Sequence, residues 1–158
     1  MSMNKKALYA GSFDPFTNGH LDIVKRALKM FDEITILIAV SPSKKPLITK
    51  EDRKTILLEI FKDESNVKVD DYDGLIVDYA KKHDIESIVR GLRPTGDFEI
   101  EFQMASMNRK LNPECETVFF MTGEKFYYVS SSIVKEVLRH DGEIKDFVPD
   151  EVYKYLKN

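Results

Sequence analysis

The sequence predicts an α/β fold, a single Rossmann-like domain in which a five-stranded parallel sheet is flanked by helices. Short apolar segments rich in β-branched residues alternate along the chain with segments whose apolar residues recur at helical spacing. The chain has 158 residues, 42% of them hydrophobic, so it can bury a core without disulfides or a structural metal. No internal repeat, linker or low-complexity segment interrupts it. We therefore expect one domain over residues 1–158, wound by right-handed crossovers.

Each element follows from a local pattern. The continuously apolar run 34–40 is typical of a strand covered on both faces. Thr49 followed by Asp52 resembles a capping box and predicts where the second helix begins. Residues 70–74 are predicted to form a turn, and Gly91 is predicted to end the fourth strand. The predicted strands cover 6–10, 34–40, 67–69, 87–90 and 117–121, and the predicted helices cover 21–30, the segment after Thr49, 76–83, 97–111, 131–140 and a short segment opened by Pro149.

The first strand leads through a glycine-bearing turn into a helix. Such a turn presents unpaired backbone N–H groups and the positive end of a helix dipole, which together bind phosphate. Gly11 lets a ligand approach the main chain, and Asn18 is the predicted N-cap of the helix. His20 then falls in the first helical turn, directed at the same anion. The alternative interpretation is a capped turn with a surface histidine.

Composition excludes several classes of function. The net charge of −3 and the lack of a basic tail argue against a nucleic-acid partner. The single cysteine, Cys115, excludes an internal disulfide and a multi-cysteine zinc site. Neither a signal-peptide core nor a run of membrane-spanning length is found, so we expect a cytoplasmic protein with no membrane partner. His83 and His140 end predicted helices, and we assign both to structure.

Ligands of open parallel sheets bind beyond the carboxyl ends of the strands. The segments at that edge are 11–20, 41–47, 72–75, 90–96 and 122–130, and we expect them to form one cleft. The first of these turns is not a Gly-x-Gly-x-x-Gly dinucleotide fingerprint, and no P-loop sequence occurs in the chain. Hydride-transfer enzymes and P-loop kinases are therefore poor fits.

The run Gly11-Ser12-Phe13-Asp14-Pro15-Phe16-Thr17-Asn18-Gly19-His20 resembles the hallmark turn of the nucleotidyltransferase superfamily, and in this form it looks like that of the phosphopantetheine adenylyltransferase family. Related nicotinate-nucleotide adenylyltransferases and many cytidylyltransferases carry a second histidine where Thr17 stands, which favours the pantetheine branch. Further matches to the family, in order and spacing, are residues 41–46, 90–93, 97–99, 107–109 and 129–132. Ser12 stands where the family often has threonine, Ala10 stands where proline is frequent, and residues 122–128 lack a tryptophan that some members carry.

The resemblance implies transfer of the adenylyl group of ATP to 4′-phosphopantetheine, giving dephospho-coenzyme A and pyrophosphate. It also implies Mg²⁺ carried mainly by the ATP phosphates with no protein metal ligand, a homohexamer, and coenzyme A as a feedback ligand. The site residues that it implies are His20, Lys44 and Arg93 for catalysis; Ser12, Lys44, Ile76 and Arg90 for the acceptor; and Ser12, Phe13, His20, Gly91, Leu92, Arg93, Glu101, Phe126, Tyr127, Tyr128, Val129, Ser130, Ser131 and Ser132 for ATP. Two alternatives remain open: a nicotinate or pyridine mononucleotide adenylyltransferase, and a non-catalytic nucleotide-binding module.

The residue types suit this chemistry. A phosphate nucleophile is already ionised near neutral pH, so the enzyme must position two anions and offset their charge. Arg90 ends an apolar strand, where an arginine is costly unless it meets an anion. Lys44 and Arg93 would add charge, although each could also be an ordinary surface cation. Glu101 could likewise be an exposed helix charge, and the serines at 130–132 could form a helix N-cap.

Overall fold

The computed structural model describes residues 4–40, 45–94 and 97–158. Within these ranges five parallel strands form one sheet with the order β3-β2-β1-β4-β5, and six α-helices flank it. The strands are β1 (Lys6–Gly11), β2 (Glu33–Ala39), β3 (Val67–Tyr72), β4 (Ser87–Leu92) and β5 (Glu116–Met121); the helices are α1 (Asn18–Ala27), α2 (Lys50–Ile60), α3 (Ile76–Lys82), α4 (Asp97–Leu111), α5 (Ser131–Arg139) and α6 (Asp150–Lys157). The predicted fold class is confirmed.

Strand β1 lies at the centre because its residues are apolar on both sides. Ala7 and Tyr9 pack into one hydrophobic cluster, whereas Leu8 and Ala10 pack into the cluster on the opposite face. This alternation is the period of two that a strand imposes. The chain leaves β1 toward β2 and β3, then returns to place β4 on the other side of β1. The ends of β1 and β4 therefore flank the point where strand order reverses, which is where such sheets bind ligands.

Several predicted boundaries differ from the structure, most by one residue, and three of the differences concern the edge of the sheet where the site is expected. Strand β3 extends through Tyr72, so residues 70–72 are strand and not turn. Strand β4 passes Gly91 and ends at Leu92. Helix α1 begins earlier than predicted, at Asn18, and its N-cap is Thr17. In the described ranges no helix combines the length and the apolarity needed to cross a lipid bilayer.

The beginning of α2 follows only part of the predicted capping pattern. The hydroxyl of Thr49 accepts a hydrogen bond from the Asp52 N–H at 3.1 Å and donates to the Asp52 carboxylate at 2.8 Å. The carboxylate thus binds the threonine hydroxyl, whereas in a full capping box it would accept the N-cap backbone N–H.

Candidate active site

A cleft of about 300 Å³ lies at the carboxyl ends of β1 and β4. Its walls are the turn after β1, the first turn of α1, the end of β4, the first turns of α4 and the beginning of α5. Of the residues singled out in the sequence it is lined by Ser12, Phe13, His20, Arg90, Gly91, Arg93, Glu101, Val129, Ser130, Ser131 and Ser132. The histidine of the first turn and both arginines therefore face one space.

His20 is fixed by the cap of its own helix. Its Nδ1 accepts a hydrogen bond from the Thr17 backbone N–H at 3.0 Å, while the Thr17 hydroxyl accepts from the His20 N–H at 3.3 Å. This reciprocal pair is a capping box in which histidine takes the place of glutamate. Because Nδ1 is an acceptor, the imidazole proton lies on Nε2. Asn18, the predicted cap, is instead the first helical residue, and its N–H donates to the Phe147 carbonyl at 2.8 Å.

The imidazole of His20 is neutral. Burial, together with the positive charges of Arg90 and Arg93, lowers its pKa to about 3. The ring of Phe13 packs edge-on against it, with centroids 5.2 Å apart. His20 can therefore offer a hydrogen bond from Nε2 without carrying charge or giving up a proton at neutral pH.

Arg90 does meet an anion, and that anion belongs to the protein. Its Nε donates to the Glu101 carboxylate at 2.8 Å and its Nη2 donates to the other carboxylate oxygen at 2.5 Å. Its Nη1 donates to the carbonyl of Ala10, at the end of β1, at 2.7 Å. The bidentate pair holds the guanidinium plane across the cleft wall.

Arg93 is paired in the same way with the first turn of α4. Its Nε lies 2.9 Å from the Asp97 carboxylate, four residues along the chain. Asp97 also lines the cleft, although the sequence analysis assigned it no role. The sequence signal that points to it is an acidic residue at the predicted beginning of a helix, four residues after a predicted site arginine.

The N-terminus of α5 closes the opposite side. Ser130 is its N-cap, and its hydroxyl accepts a hydrogen bond from the Ile133 N–H at 3.1 Å. The Ser131 hydroxyl donates to the Pro15 carbonyl at 2.8 Å and so ties α5 to the turn after β1. The cleft thus receives the positive ends of two helices, α1 and α5.

Four predicted ATP residues are not among those that line the cleft: Leu92, Phe126, Tyr127 and Tyr128. Leu92 ends β4, and its carbonyl accepts from the Thr122 N–H. Phe126 lies behind the first turn of α1, since a methyl group on Gly19 would be 3.5 Å from its Cβ. Tyr128 is exposed and packs edge-on against Phe147. The predicted catalytic Lys44 lies outside the described residues.

A second, more apolar cavity of about 170 Å³ adjoins the cleft. Ile76, a predicted acceptor residue, lines it together with Met104 and Ala105 of α4. Arg90 and Glu101 line both cavities, as do Ala10 and Gly11, so the Arg90–Glu101 ion pair is part of the wall between them. Among the described residues no cluster of three or more His, Cys, Asp or Glu side chains is arranged to hold a metal ion.

Comparison with known proteins places the chain in a family. A family model described as cytidylyltransferase-like matches residues 8–137. A Syntrophus aciditrophicus protein named phosphopantetheine adenylyltransferase is 51% identical over 155 residues, which are 98% of this chain and 94% of the relative. The chain belongs to the phosphopantetheine adenylyltransferase family. Relatives of the same name from Dictyoglomus turgidum (52% identical, 96% of this chain and 94% of the relative) and an Anaeromyxobacter strain (46%, 98% and 94%) also match.

The fold is shared more widely than the family. The crystal structure of a Vibrio parahaemolyticus protein, described as a candidate nicotinate-nucleotide adenylyltransferase, superposes with a TM-score of 0.71. The match covers 99% of this chain and 100% of the other, at 18% sequence identity. At that identity the likeness concerns the arrangement of helices and strands only. The membership of the phosphopantetheine adenylyltransferase family rests on the relatives of about 50% identity.

Proposed function

We propose that this chain transfers the adenylyl group of ATP to 4′-phosphopantetheine, giving dephospho-coenzyme A and pyrophosphate. The observation that carries the proposal is the convergence of His20, Arg90, Arg93 and two helix N-termini on one cleft, next to an apolar cavity. The family membership supplies the substrates, and the cleft supplies the groups that two phosphate-bearing substrates require.

The nucleotide occupies the cleft, with its phosphates near the first turns of α1 and α5. The backbone N–H groups and the helix dipoles at the N-termini of α1 and α5 bind anions without a charged side chain. His20 donates from Nε2 to an oxygen on the α-phosphorus, where negative charge builds during the reaction. The depressed pKa of His20 suits this role, because a neutral donor does not lose a proton to the phosphate.

The acceptor occupies the apolar cavity, with its phosphate toward Arg90. Ile76 and Met104 offer surface for an uncharged arm, and Arg90 stands at the junction with the nucleotide cleft. An acceptor phosphate oxygen attacks the α-phosphorus, the new P–O bond forms, and the bond to the bridging oxygen breaks as pyrophosphate leaves. No general base is needed, and no protein nucleophile enters the reaction. Lys44 and Arg93 complete the proposed set of cationic groups.

Magnesium is proposed to arrive with ATP. The two carboxylates that line the cleft among the described residues, Asp97 and Glu101, already bind Arg93 and Arg90. This donor set does not form a protein cage for a divalent cation, and it fits an ion held chiefly by phosphate oxygens. When bound, the ion would offset phosphate charge, while the chain orients the substrates.

Pyrophosphate release in the presence of ATP and Mg²⁺ tests the function. We expect turnover with 4′-phosphopantetheine and none with nicotinate mononucleotide. Turnover with the mononucleotide alone would contradict the proposed acceptor. Calorimetric binding of ATP with no turnover on either acceptor would instead identify a non-catalytic nucleotide-binding module. Omitting Mg²⁺ in a parallel reaction should abolish turnover if the ion accompanies ATP.

We also propose that the chain is a cytoplasmic homohexamer and that coenzyme A binds it as a feedback ligand. Helix α4 supports assembly, because it carries large apolar side chains that are more than half exposed, among them Phe102 and Met107. Sedimentation velocity should give six times the 18.3 kDa chain mass. We expect Met107→Glu to dissociate the assembly, whereas Met30→Glu, changed at an equally exposed methionine of another surface, should not. A monomeric parent protein would contradict this proposal.

A further inference from the structure

Two buried charged side chains hold the turn after β1 from behind. Asp14 is 4% exposed and Arg53 is 6% exposed, and neither lines the cleft. Charged groups are seldom buried without compensation, because removing them from water is costly. Arg53 contacts the turn from outside it. Asp14 belongs to the turn and contacts the segments that pack against it.

Arg53, on α2, binds main-chain carbonyls. Its Nη1 donates to the Ser12 carbonyl in the turn, and its Nε donates to the Thr49 carbonyl at 3.4 Å. In the part of the chain that the structure describes, no carboxylate forms an ion pair with it. Its positive charge is instead compensated by carbonyl dipoles, one of which belongs to the turn after β1.

Asp14 anchors the other end of the turn. Its carboxylate accepts hydrogen bonds from the N–H groups of Leu47 and Ile48 at 2.9 and 2.8 Å, and Lys135 of α5 lies 2.9 Å away. Burial alone would raise the pKa of Asp14, but the bond from Lys135 and the two backbone bonds outweigh it and hold the pKa below its ordinary value. Asp14 thus joins the turn to the segment after β2 and to α5.

Phe13 lies between these two anchors in a constrained conformation. Its φ is +48°, a backbone conformation that residues other than glycine rarely adopt. Phe13 is only 2% exposed, and it nevertheless lines the cleft. Because the Ser12–Phe13 peptide is trans, its N–H points away from the carbonyl that Arg53 holds. None of the described residues accepts a hydrogen bond from this N–H.

We propose that Arg53, together with Asp14, is a positioning residue for adenylyl transfer. The two side chains fix the Ser12–Phe13 peptide so that the Phe13 N–H donates to a phosphate of the nucleotide. Arg53 also withdraws electron density through the Ser12 carbonyl, which strengthens the N–H of the same peptide group as a donor. This inference rests on the proposed function of the cleft.

Arg53→Met tests the proposal, since it keeps the aliphatic stem and removes the charge and both hydrogen bonds. We expect kcat to fall about ten- to a hundredfold, somewhat less than when an oxyanion donor is deleted outright. The calorimetric Kd for ATP should change only a few-fold, because the strengthened donor acts mainly on charge that develops in the transition state. Arg53→Lys restores a cation without the planar fork and should recover part of kcat.

Asp14→Asn provides the second variant, in case Arg53→Met does not fold. Its amide replaces one acceptor oxygen with a donor and should likewise lower kcat more than it raises the KM for ATP. Val152→Ala, a buried change on α6, is the stability control and should keep the parental kcat. Parental kcat in a folded Arg53→Met or Asp14→Asn protein would overturn the inference. A parent protein that binds ATP but does not turn over would instead overturn the proposed function.

Discussion

Replacing His20 with alanine tests the most specific claim about the cleft. In the parent the Thr17 N–H occupies Nδ1, so Nε2 is the only donor that the imidazole can offer to a phosphate. Removing a single preorganised donor of this kind costs about 2.7–4 kcal/mol in the chemical step, or roughly 10²–10³ in kcat. The affinity for ATP should change far less, because the donor matters most where charge develops.

The pKa of His20 adds a second, independent expectation. At a pKa of about 3 the imidazole is protonated in only about one molecule in 10⁴ at pH 7. In its proposed role His20 is therefore a neutral donor throughout the working pH range. The ratio of parental to His20→Ala kcat/KM for ATP, which reports ionisation of the free enzyme, should stay constant from about pH 5.5 to about pH 8.5.

Pyrophosphate release measured across that range, at ATP concentrations well below KM, gives the ratio directly. A ratio that changes about tenfold per pH unit near pH 6.5 would show that His20 ionises in catalysis and would refute the assignment. Nearly parental turnover by His20→Ala would refute the donor role itself. Thermal unfolding of both proteins distinguishes either result from loss of structure.

Three further expectations follow from the same contacts. Thr17→Ala should lower the free energy of unfolding by about 1 kcal/mol through loss of the N-cap, with kcat within a few-fold of the parent, as urea unfolding and kinetics can show. Glu101→Gln leaves Arg90 without its carboxylate and should lower the free energy of unfolding by about 1–3 kcal/mol, because the pair is only partly exposed to solvent. An unchanged free energy of unfolding would mean that the pair is not formed in solution. The depressed pKa of Asp14 contributes stability above the ordinary carboxyl pKa, and that contribution is lost as pH falls through the folded value. The unfolding free energy of Asp14→Asn should therefore decline less steeply below about pH 4 than that of the parent, and parallel curves would contradict this.

Helix α4 and the end of β3 show what sequence patterns could predict of the fold. The limits of α4, Asp97–Leu111, are those predicted, because a long helical segment with acidic residues at its beginning is a strong local signal. Strand β3 continues through Asp70 and Asp71 although paired acids favour turns. Lys54 of α2 lies 2.8 Å from Asp71 and 3.3 Å from Asp70, a tertiary pairing that no local pattern records.

The candidate site also has features that the sequence predicts and features that it does not. The rule that ligand-binding segments meet at the carboxyl ends of parallel strands brought His20 and Arg90 together correctly, since it depends only on topology. The partner of Arg90 could not be predicted, because Glu101 is eleven residues away on a different element. The contacts of Arg53 could not be predicted for another reason. It binds main-chain carbonyls, and because every residue has a carbonyl, no residue type in the sequence marks the partner.

The Arg90–Glu101 ion pair, which lines both cavities, sets a chemical condition on inhibitors. A compound confined to the apolar cavity leaves the pair intact and can be uncharged. A compound that passes into the larger cleft between these two side chains must displace Glu101 from the guanidinium group, so it must bring its own anion to replace the lost carboxylate. Potency gained by bridging the two sites would then be offset by poor passage of the charged compound through cell membranes, whereas neutral compounds limited to one side avoid that conflict.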